Sequence, residues 1–150
     1  MNVNETKRFF QQIRREQREI IHLTNMIKRE ELSLLPGAIV YDKDKVQVSP
    51  EDKFSTVCAK ISDLQEELGQ SIMKLKEKQI KAERLIRKLE DPDEREVMRW
   101  YYLTVEDNHL LTWQDVSIRM NFYCRHVLRL HGNALVHLSK YDVIIKHDTK

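Results

Sequence analysis

Apolar residues recur at helical spacing near the N-terminus of the chain. Within residues 6–34 the apolar positions Ile13, Ile20, Ile27 and Leu34 repeat every seven residues. A seven-residue apolar repeat is the pattern of helices that pack side by side in coiled coils. We therefore predict a long first helix over this segment, with an apolar seam along one side.

The sequence Leu-Pro-Gly at residues 35–37 ends this helical pattern. Proline disfavours the helical conformation of the residue before it, and glycine accommodates the turn that follows. Residues 36–50 are then a charged connector, in which residues 38–48 are predicted to form at most a small β-ribbon. A new helix is expected after Ser49, because Ser49 is a good N-cap, Pro50 suits the first helical position and two acidic residues follow.

The second helical run extends to about residue 90. Its apolar positions from Phe54 to Leu89 advance by three or four residues at each step and average 3.5, the period of a coiled coil. We predict that residues 1–90 form a helical hairpin of coiled-coil type. The second helix is longer than the first, so part of its seam has no partner within the hairpin, and we expect homo-oligomerisation through this region.

The sequence Asp-Pro-Asp at residues 91–93 interrupts the second helix and favours a new helix start. We predict a short helix over residues 94–103, with Val97, Met98 and Tyr101 supplying part of a small core. Residues 105–111 are expected to be a loop. The predicted second domain therefore covers residues 91–150.

Two short helices joined by a tight turn are predicted within residues 110–138. The first begins after Thr112, whose hydroxyl caps the helix and pairs with Asp115 in a capping box. Asn121 supplies the turn, because asparagine tolerates the left-handed conformation. The second helix begins at Cys124, and this arrangement predicts a DNA-binding helix-turn-helix.

The second of these helices has one apolar stripe and one polar face. The stripe consists of Val127, Leu130, Ala134, Leu135 and Leu138. In a docked helix-turn-helix the N-terminal part of the second helix enters the major groove, so Arg125 and Arg129 are expected to contact bases or phosphates, and Arg119 and Lys140 to contact phosphates. The candidate DNA-contacting residues are Arg119, Tyr123, Cys124, Arg125, His126, Leu128, Arg129 and Lys140.

The C-terminal third of the chain carries a family resemblance. The residues concerned are Leu89, Asp91, Pro92, Glu94, Arg95, Trp100, Tyr101, Tyr102, Trp113, Asn121, Phe122, Arg125, His126, Val127, Arg129, Leu130, His131, Ala134 and Leu135. This run resembles region 4 of sigma factors, and it is most similar to the phage-encoded, sigma-like late transcription regulators of the ArpU kind. The resemblance implies a phage or prophage origin, base contacts at Cys124, Arg125 and Arg129, and contact with the bacterial RNA polymerase.

Composition limits the class of protein further. The formal net charge is only +2, so attraction to DNA has to come from local clusters of basic residues. Cys58 and Cys124 are far apart in sequence, which is typical of a reducing compartment. No run approaches the roughly 18 apolar residues of a membrane span, and the N-terminus is polar. We expect no membrane association and a location in the cytoplasm of a bacterial host cell.

No catalytic motif is evident in the sequence. It has no glycine-rich phosphate loop and no nucleophile elbow, so we expect neither enzyme activity nor a cofactor. Cys124, His126 and His131 lack the ligand spacing of a structural zinc site, so no metal is expected. The aromatic residues Trp100 and Trp113 lie at spacings suited to a small core.

Two other functions fit the same elements. A small terminase subunit also joins a helix-turn-helix to a helical oligomerisation element, and it binds packaging sites on phage DNA instead of promoters. Alternatively, the chain is a polymerase-binding adaptor without affinity for DNA, and the helical hairpin is its functional part.

Overall fold

The computed structural model describes residues 2–35 and 50–141, and this part of the chain is mostly helical, as predicted for an all-α protein. Its elements in chain order are α1 (Val3–Ser33), α2 (Pro50–Ile86), α3 (Pro92–Met98), a π-helical turn (Arg99–Leu103), β1 (Val105–Glu106), β2 (His109–Leu110), α4 (Trp113–Met120) and α5 (Cys124–Ser139). The ribbon predicted at residues 38–48 and the N-cap predicted at Ser49 lie outside the described residues.

Contacts along the chain divide it into two compact units. The first unit combines Met1–Arg18 with Lys74–Lys150, and the second consists of Glu19–Met73. This division differs from the predicted one at residue 90, because the N-terminal part of α1 packs with the C-terminal elements. Arg14 and Gln17 of α1 donate hydrogen bonds to backbone carbonyls that lie at least 85 residues later in the chain.

The second unit contains the C-terminal part of α1 and the N-terminal part of α2. Among its described residues, Ile27 and Val57 are the buried apolar side chains. Other predicted seam positions, such as Ile61 and Leu68, are half-buried. Phe54, which continues the seven-residue repeat of these two residues, is 57% exposed. The apolar seam of this unit is therefore only partly removed from water within one chain.

One buried apolar cluster of the first unit lies where α3, α4 and α5 meet. Its buried residues are Val97, Leu111, Val116, Val127 and Leu130, and the partly buried Trp100, Tyr101, Trp113, Met120 and Phe122 pack against them. All five residues of the predicted α5 stripe are buried. The opposite side of α5 is consequently left facing solvent.

Helix α3 begins two residues earlier than predicted and ends in a different geometry. The Asp91 carboxylate accepts a hydrogen bond of 2.9 Å from the backbone N–H of Asp93, and Pro92 occupies the first helical position, so the helix is capped at Asp91. The predicted helix continues to Leu103, but its last five residues form the π-helical turn.

The end of the π-helical turn is capped by side chains from α1. The last carbonyls of a helix lack partners within the helix and need others. Arg14 donates to the carbonyl of Tyr101, and Gln17 Nε2 donates to the carbonyl of Tyr102 at 2.9 Å. These bonds place the N-terminal part of α1 against the aromatic residues of the turn.

The loop predicted at residues 105–111 is wrong. Strands β1 and β2 pair antiparallel there, with Val105 opposite Leu110 and Glu106 opposite His109. Asp107 and Asn108 connect them with φ values of 50° and 61°. Positive φ at both central residues is what a two-residue hairpin of matching twist requires, and aspartate and asparagine tolerate it.

Candidate nucleic-acid interface

Helix α4 is held at its start by the predicted capping box. The Asp115 backbone N–H donates to the Thr112 hydroxyl at 3.2 Å, and the Thr112 backbone N–H donates to Asp115 Oδ2 at 2.9 Å. The Thr112 hydroxyl also donates to Asp115 Oδ2 at 3.0 Å. The bonds that this carboxylate accepts from the backbone and hydroxyl of Thr112 lower the pKa of the Asp115 carboxyl. The capping box fixes the direction in which α4 leaves the β-hairpin.

The turn between α4 and α5 adopts the predicted geometry at Asn121. Its φ of 57° and ψ of 42° are left-handed, and the backbone N–H of Phe122 then donates to the carbonyl of Ser117 at 3.1 Å. Tyr123 precedes the first residue of α5 and makes no side-chain cap. Its side chain is instead 89% exposed.

Five of the eight predicted site residues line one depression at the start of α5. They are Tyr123, Cys124, Arg125, His126 and Arg129, and we call this set the α5 surface. Arg125 and Arg129 are exposed, whereas Cys124 and His126 are half-buried. The set contains no carboxylate, so its charge is positive.

His126 holds Arg129 in place within the α5 surface. The Arg129 guanidinium nitrogen Nη2 lies 2.8 Å from His126 Nδ1. The His126 ring itself packs edge-on against Phe122, with 4.8 Å between ring centres. Arg125, by contrast, forms no ion pair with any residue in the described ranges, and its donors are available to a ligand.

The other three predicted site residues do not line this depression. Arg119 forms a two-pronged ion pair with Glu106, one bond of which is 2.8 Å, and its guanidinium lies 5.7 Å from the centre of the Trp100 ring. Lys140 lines a different depression, beside His137. Leu128 is 45% exposed and lines a groove shared with α1.

This second groove, which we call the α1 groove, was not predicted from the sequence. Its lining residues are Lys7, Gln11, Arg14, Arg15 and Arg18 of α1 together with Tyr101, Tyr102, Trp113, Leu128 and His131. None of these described residues is acidic. The basic residues of α1 are a signal for this groove in the sequence, whereas the seven-residue repeat indicates only the apolar side of the helix.

Aromatic residues form the floor of the α1 groove. The ring of Tyr101 stacks on Trp113 with 3.6 Å between ring centres and 8° between planes. The Tyr102 hydroxyl lies 2.7 Å from His131 Nε2, and both residues are buried. Burial, with a smaller contribution from the charge of Lys7, lowers the pKa of His131 to about 4, so its imidazole is neutral near pH 7.

Comparisons with known proteins return no relative: no family model, curated protein or solved structure matches this chain. Within the described ranges, no three metal-ligating side chains come together in a possible metal site. None of the helices described in residues 2–35 and 50–141 combines the length and apolar character that a membrane span needs.

Proposed function

We propose that this chain is a sequence-specific DNA-binding regulator of transcription, and that α4, the turn at Asn121 and α5 act as its helix-turn-helix. The observation that supports this proposal best is the two-sided character of α5. Its apolar stripe is buried in the core, while Arg125 and Arg129 project from its first two turns into solvent. That end of the second helix is the part that enters the major groove in this motif.

The α5 surface has the chemistry that base recognition needs. An arginine donates two parallel hydrogen bonds to N7 and O6 of guanine, and Arg125 has its donors available for this contact. Arg129, oriented by His126, is placed to contact a phosphate or a second base. Cys124 and Leu128 offer apolar contact to a thymine methyl group.

Arg119 and Lys140 have a different role in this proposal. Both are exposed and would contact phosphates, which position the protein on the duplex without sequence preference. Arg119 would exchange its ion pair with Glu106 for a phosphate. Because this ion pair lies at the surface, it contributes little to stability, and breaking it to bind a phosphate costs little free energy.

The biological setting follows from the resemblance to sigma region 4. On that basis we propose a regulator of phage or prophage late genes that acts in the cytoplasm of the bacterial host and contacts its RNA polymerase. The protein would act by binding and not by catalysis. The pairing of Arg14 with the π-helical turn would keep α1 beside the DNA-binding elements.

The test begins with selection of bound DNA from a random pool. Arg125→Ala and Arg129→Ala are then compared with Lys60→Ala, which removes an exposed charge from α2 in the second unit. If Arg125 contacts a base, Arg125→Ala is expected to weaken the free energy of binding to the preferred site by about 1 to 3 kcal/mol. It should also relax the base preference at one position of that site. Val127→Asp is expected to unfold the domain, because the side chain of Val127 is 0% exposed.

The two possible results separate the functions. Weaker binding by the arginine variants, with unchanged thermal melts and normal binding by Lys60→Ala, supports the proposal. If both arginine variants bind DNA as the unmodified protein does, α5 is not a recognition helix. The polymerase-binding adaptor would then become the better description.

A further inference from the structure

We propose that the α1 groove is a second binding site for DNA, and that Lys7, Arg15 and Arg18 hold the phosphodiester backbone beside the segment contacted by α5. This inference rests on the proposed function and extends the DNA interface to residues of α1 that precede α5 by more than 100 positions in the sequence. The ligand is the sugar-phosphate chain and not a base, so the site would contribute affinity and orientation without sequence preference.

The spacing of the basic residues places them together. The polar residues of α1 that line the groove follow one another at steps of three or four, except for one adjacent pair, and this spacing puts them on one side of the helix. They are Lys7, Gln11, Arg14, Arg15 and Arg18. Lys7, Arg15 and Arg18 are exposed, and none of them forms an ion pair with a described residue. Their charges are therefore available to a ligand from solution.

The charges of Arg18 and Lys7 act on two buried side chains that line the groove. The charge of Arg18 contributes to lowering the pKa of Arg14, after the larger effect of burial. The charge of Lys7 likewise acts on His131. Glu16, an acidic residue on the same helix, is paired with Lys78 and is not among the residues that line the groove. A carboxylate-free groove with several uncompensated cations is suited to phosphate groups.

Leu128 connects the groove to the proposed recognition surface. It lines the α1 groove, and along α5 it is the neighbour of both Arg125, three residues before, and Arg129, one residue after. Where α5 occupies a major groove about 12 Å wide, a sugar-phosphate strand runs along each side of the helix. The cations of α1 border the Leu128 edge of α5, so they are placed for the strand on that side.

Arg14 has a different role from its basic neighbours. It is 7% exposed, and its guanidinium is occupied by backbone carbonyls and by the Tyr101 ring. Its function is to hold α1 in position, so that Arg15 and Arg18 face the groove. For this reason the test leaves Arg14 unchanged.

The test compares three double variants of the full chain on the selected DNA. Arg15→Gln with Arg18→Gln removes two charges from the groove, and Arg15→Lys with Arg18→Lys retains them. Lys28→Gln with Arg29→Gln removes two exposed charges from α1 in the second unit. Affinity is measured between 50 and 200 mM salt, together with hydroxyl-radical footprints and thermal melts.

The double variant Arg15→Gln with Arg18→Gln, which we call the glutamine pair, should have a flatter slope of log affinity against log salt concentration. The expected change in slope is about 1.8, or about 0.9 for each lost phosphate contact. The base preference should stay the same, and protection at one flank of the footprint should disappear. The lysine pair should retain the slope and the footprint. The Lys28 and Arg29 variant should behave as the unmodified protein does.

The outcome also separates this inference from the proposed function. If Arg129→Ala weakens binding while the glutamine pair keeps the slope and the footprint, α5 binds DNA and the groove does not. If the groove variant changes no more than the Lys28 and Arg29 variant does, the inference is likewise overturned. If the unmodified protein shows no salt-dependent DNA binding, both the proposed function and this inference fail.

Discussion

The guanidinium of Arg14 lies 3.8 Å from the centre of the Tyr101 ring, so that a buried cation of α1 covers an aromatic residue of the π-helical turn. The Arg14 Nη1 atom also donates to the carbonyl of Leu111 at 3.0 Å and to the carbonyl of Tyr101. Trp113 stacks on the same ring and must use its other face. One side chain therefore joins α1, the turn and the segment that leads into α4.

We predict that Arg14→Ala lowers the free energy of unfolding by about 2 to 4 kcal/mol, because two carbonyls lose a donor and the ring loses its cation. Arg15→Ala is the matched control. Arg15 is exposed, and its loss should change stability by less than about 0.5 kcal/mol. Urea unfolding at pH 7 measures both. Equal effects of the two substitutions would show that the Arg14 contacts do not stabilise the fold.

The buried pair of His131 and Tyr102 makes a pH dependence of stability predictable. The folded-state pKa of His131 is about 4, below the ordinary value of 6.5, because burial disfavours the imidazolium. Between these values the unfolded chain binds a proton that the folded chain does not. The neutral His131 therefore contributes its full stabilisation of the fold above pH 6.5, and this contribution is lost as the pH falls towards 4. The free energy of unfolding should fall by roughly 2 kcal/mol between pH 7 and pH 5.

His131→Gln provides the test of this pH dependence. Glutamine keeps a polar group for the Tyr102 hydroxyl, which lies 2.7 Å from His131 Nε2, but it does not titrate. Urea unfolding of both proteins at pH 7, 6 and 5 should show a flatter pH profile for the variant. A variant that loses as much stability as the unmodified protein over this range would assign the effect to other groups.

The capping box of α4 is expected to stabilise the first unit measurably. Thr112→Ala removes the hydroxyl that accepts a hydrogen bond from the Asp115 N–H. Loss of such a cap typically lowers the free energy of unfolding by about 1 kcal/mol. Thr112→Ser keeps the hydroxyl and should retain most of the stability. Thermal melts of the two variants measure the difference. If serine and alanine destabilise equally, the cap contributes nothing here.

Elements set by local chemistry were predictable from the sequence. The Thr112 cap, the left-handed Asn121 and the buried side of α5 each depend on residues within a few positions of one another, and all three are present. The β-hairpin also has a local signal, since Asp107 and Asn108 tolerate positive φ and stand between two short segments that each contain one apolar residue. Each strand has only two residues, too few for a recognisable alternating pattern, so a loop is the expectation from sequence.

Relationships between distant segments were not predictable in the same way. The bonds from Arg14 and Gln17 to the π-helical turn join residues more than 80 positions apart, and a buried arginine has no local pattern. The same applies to the α1 groove, which is lined by residues of α1, the turn, α4 and α5. Periodicity identified which side of each helix is apolar. It did not specify which polar residues would meet.

Self-association through the second unit is the last prediction, and Phe54 is the residue that tests it. Phe54, Ile61 and Leu68 follow one another at intervals of seven in α2, and their incomplete burial leaves an apolar edge exposed. We expect a second copy of the chain to cover this edge, because exposed apolar patches commonly mark such contacts. The unmodified protein should then show a larger mass in sedimentation as its concentration rises to tens of micromolar.

Phe54→Lys should abolish this association while leaving the single chain folded, because Phe54 is 57% exposed within one chain and its replacement buries no charge there. In an assembly, the lysine would lie in an apolar contact without a partner, which is costly. Val57→Lys is the contrasting variant, since Val57 is 7% exposed and a charge at that position should destabilise the helices themselves. A compact monomer at every concentration of the unmodified protein would refute the prediction. A ring-shaped assembly in light scattering would favour a role in DNA packaging over promoter binding.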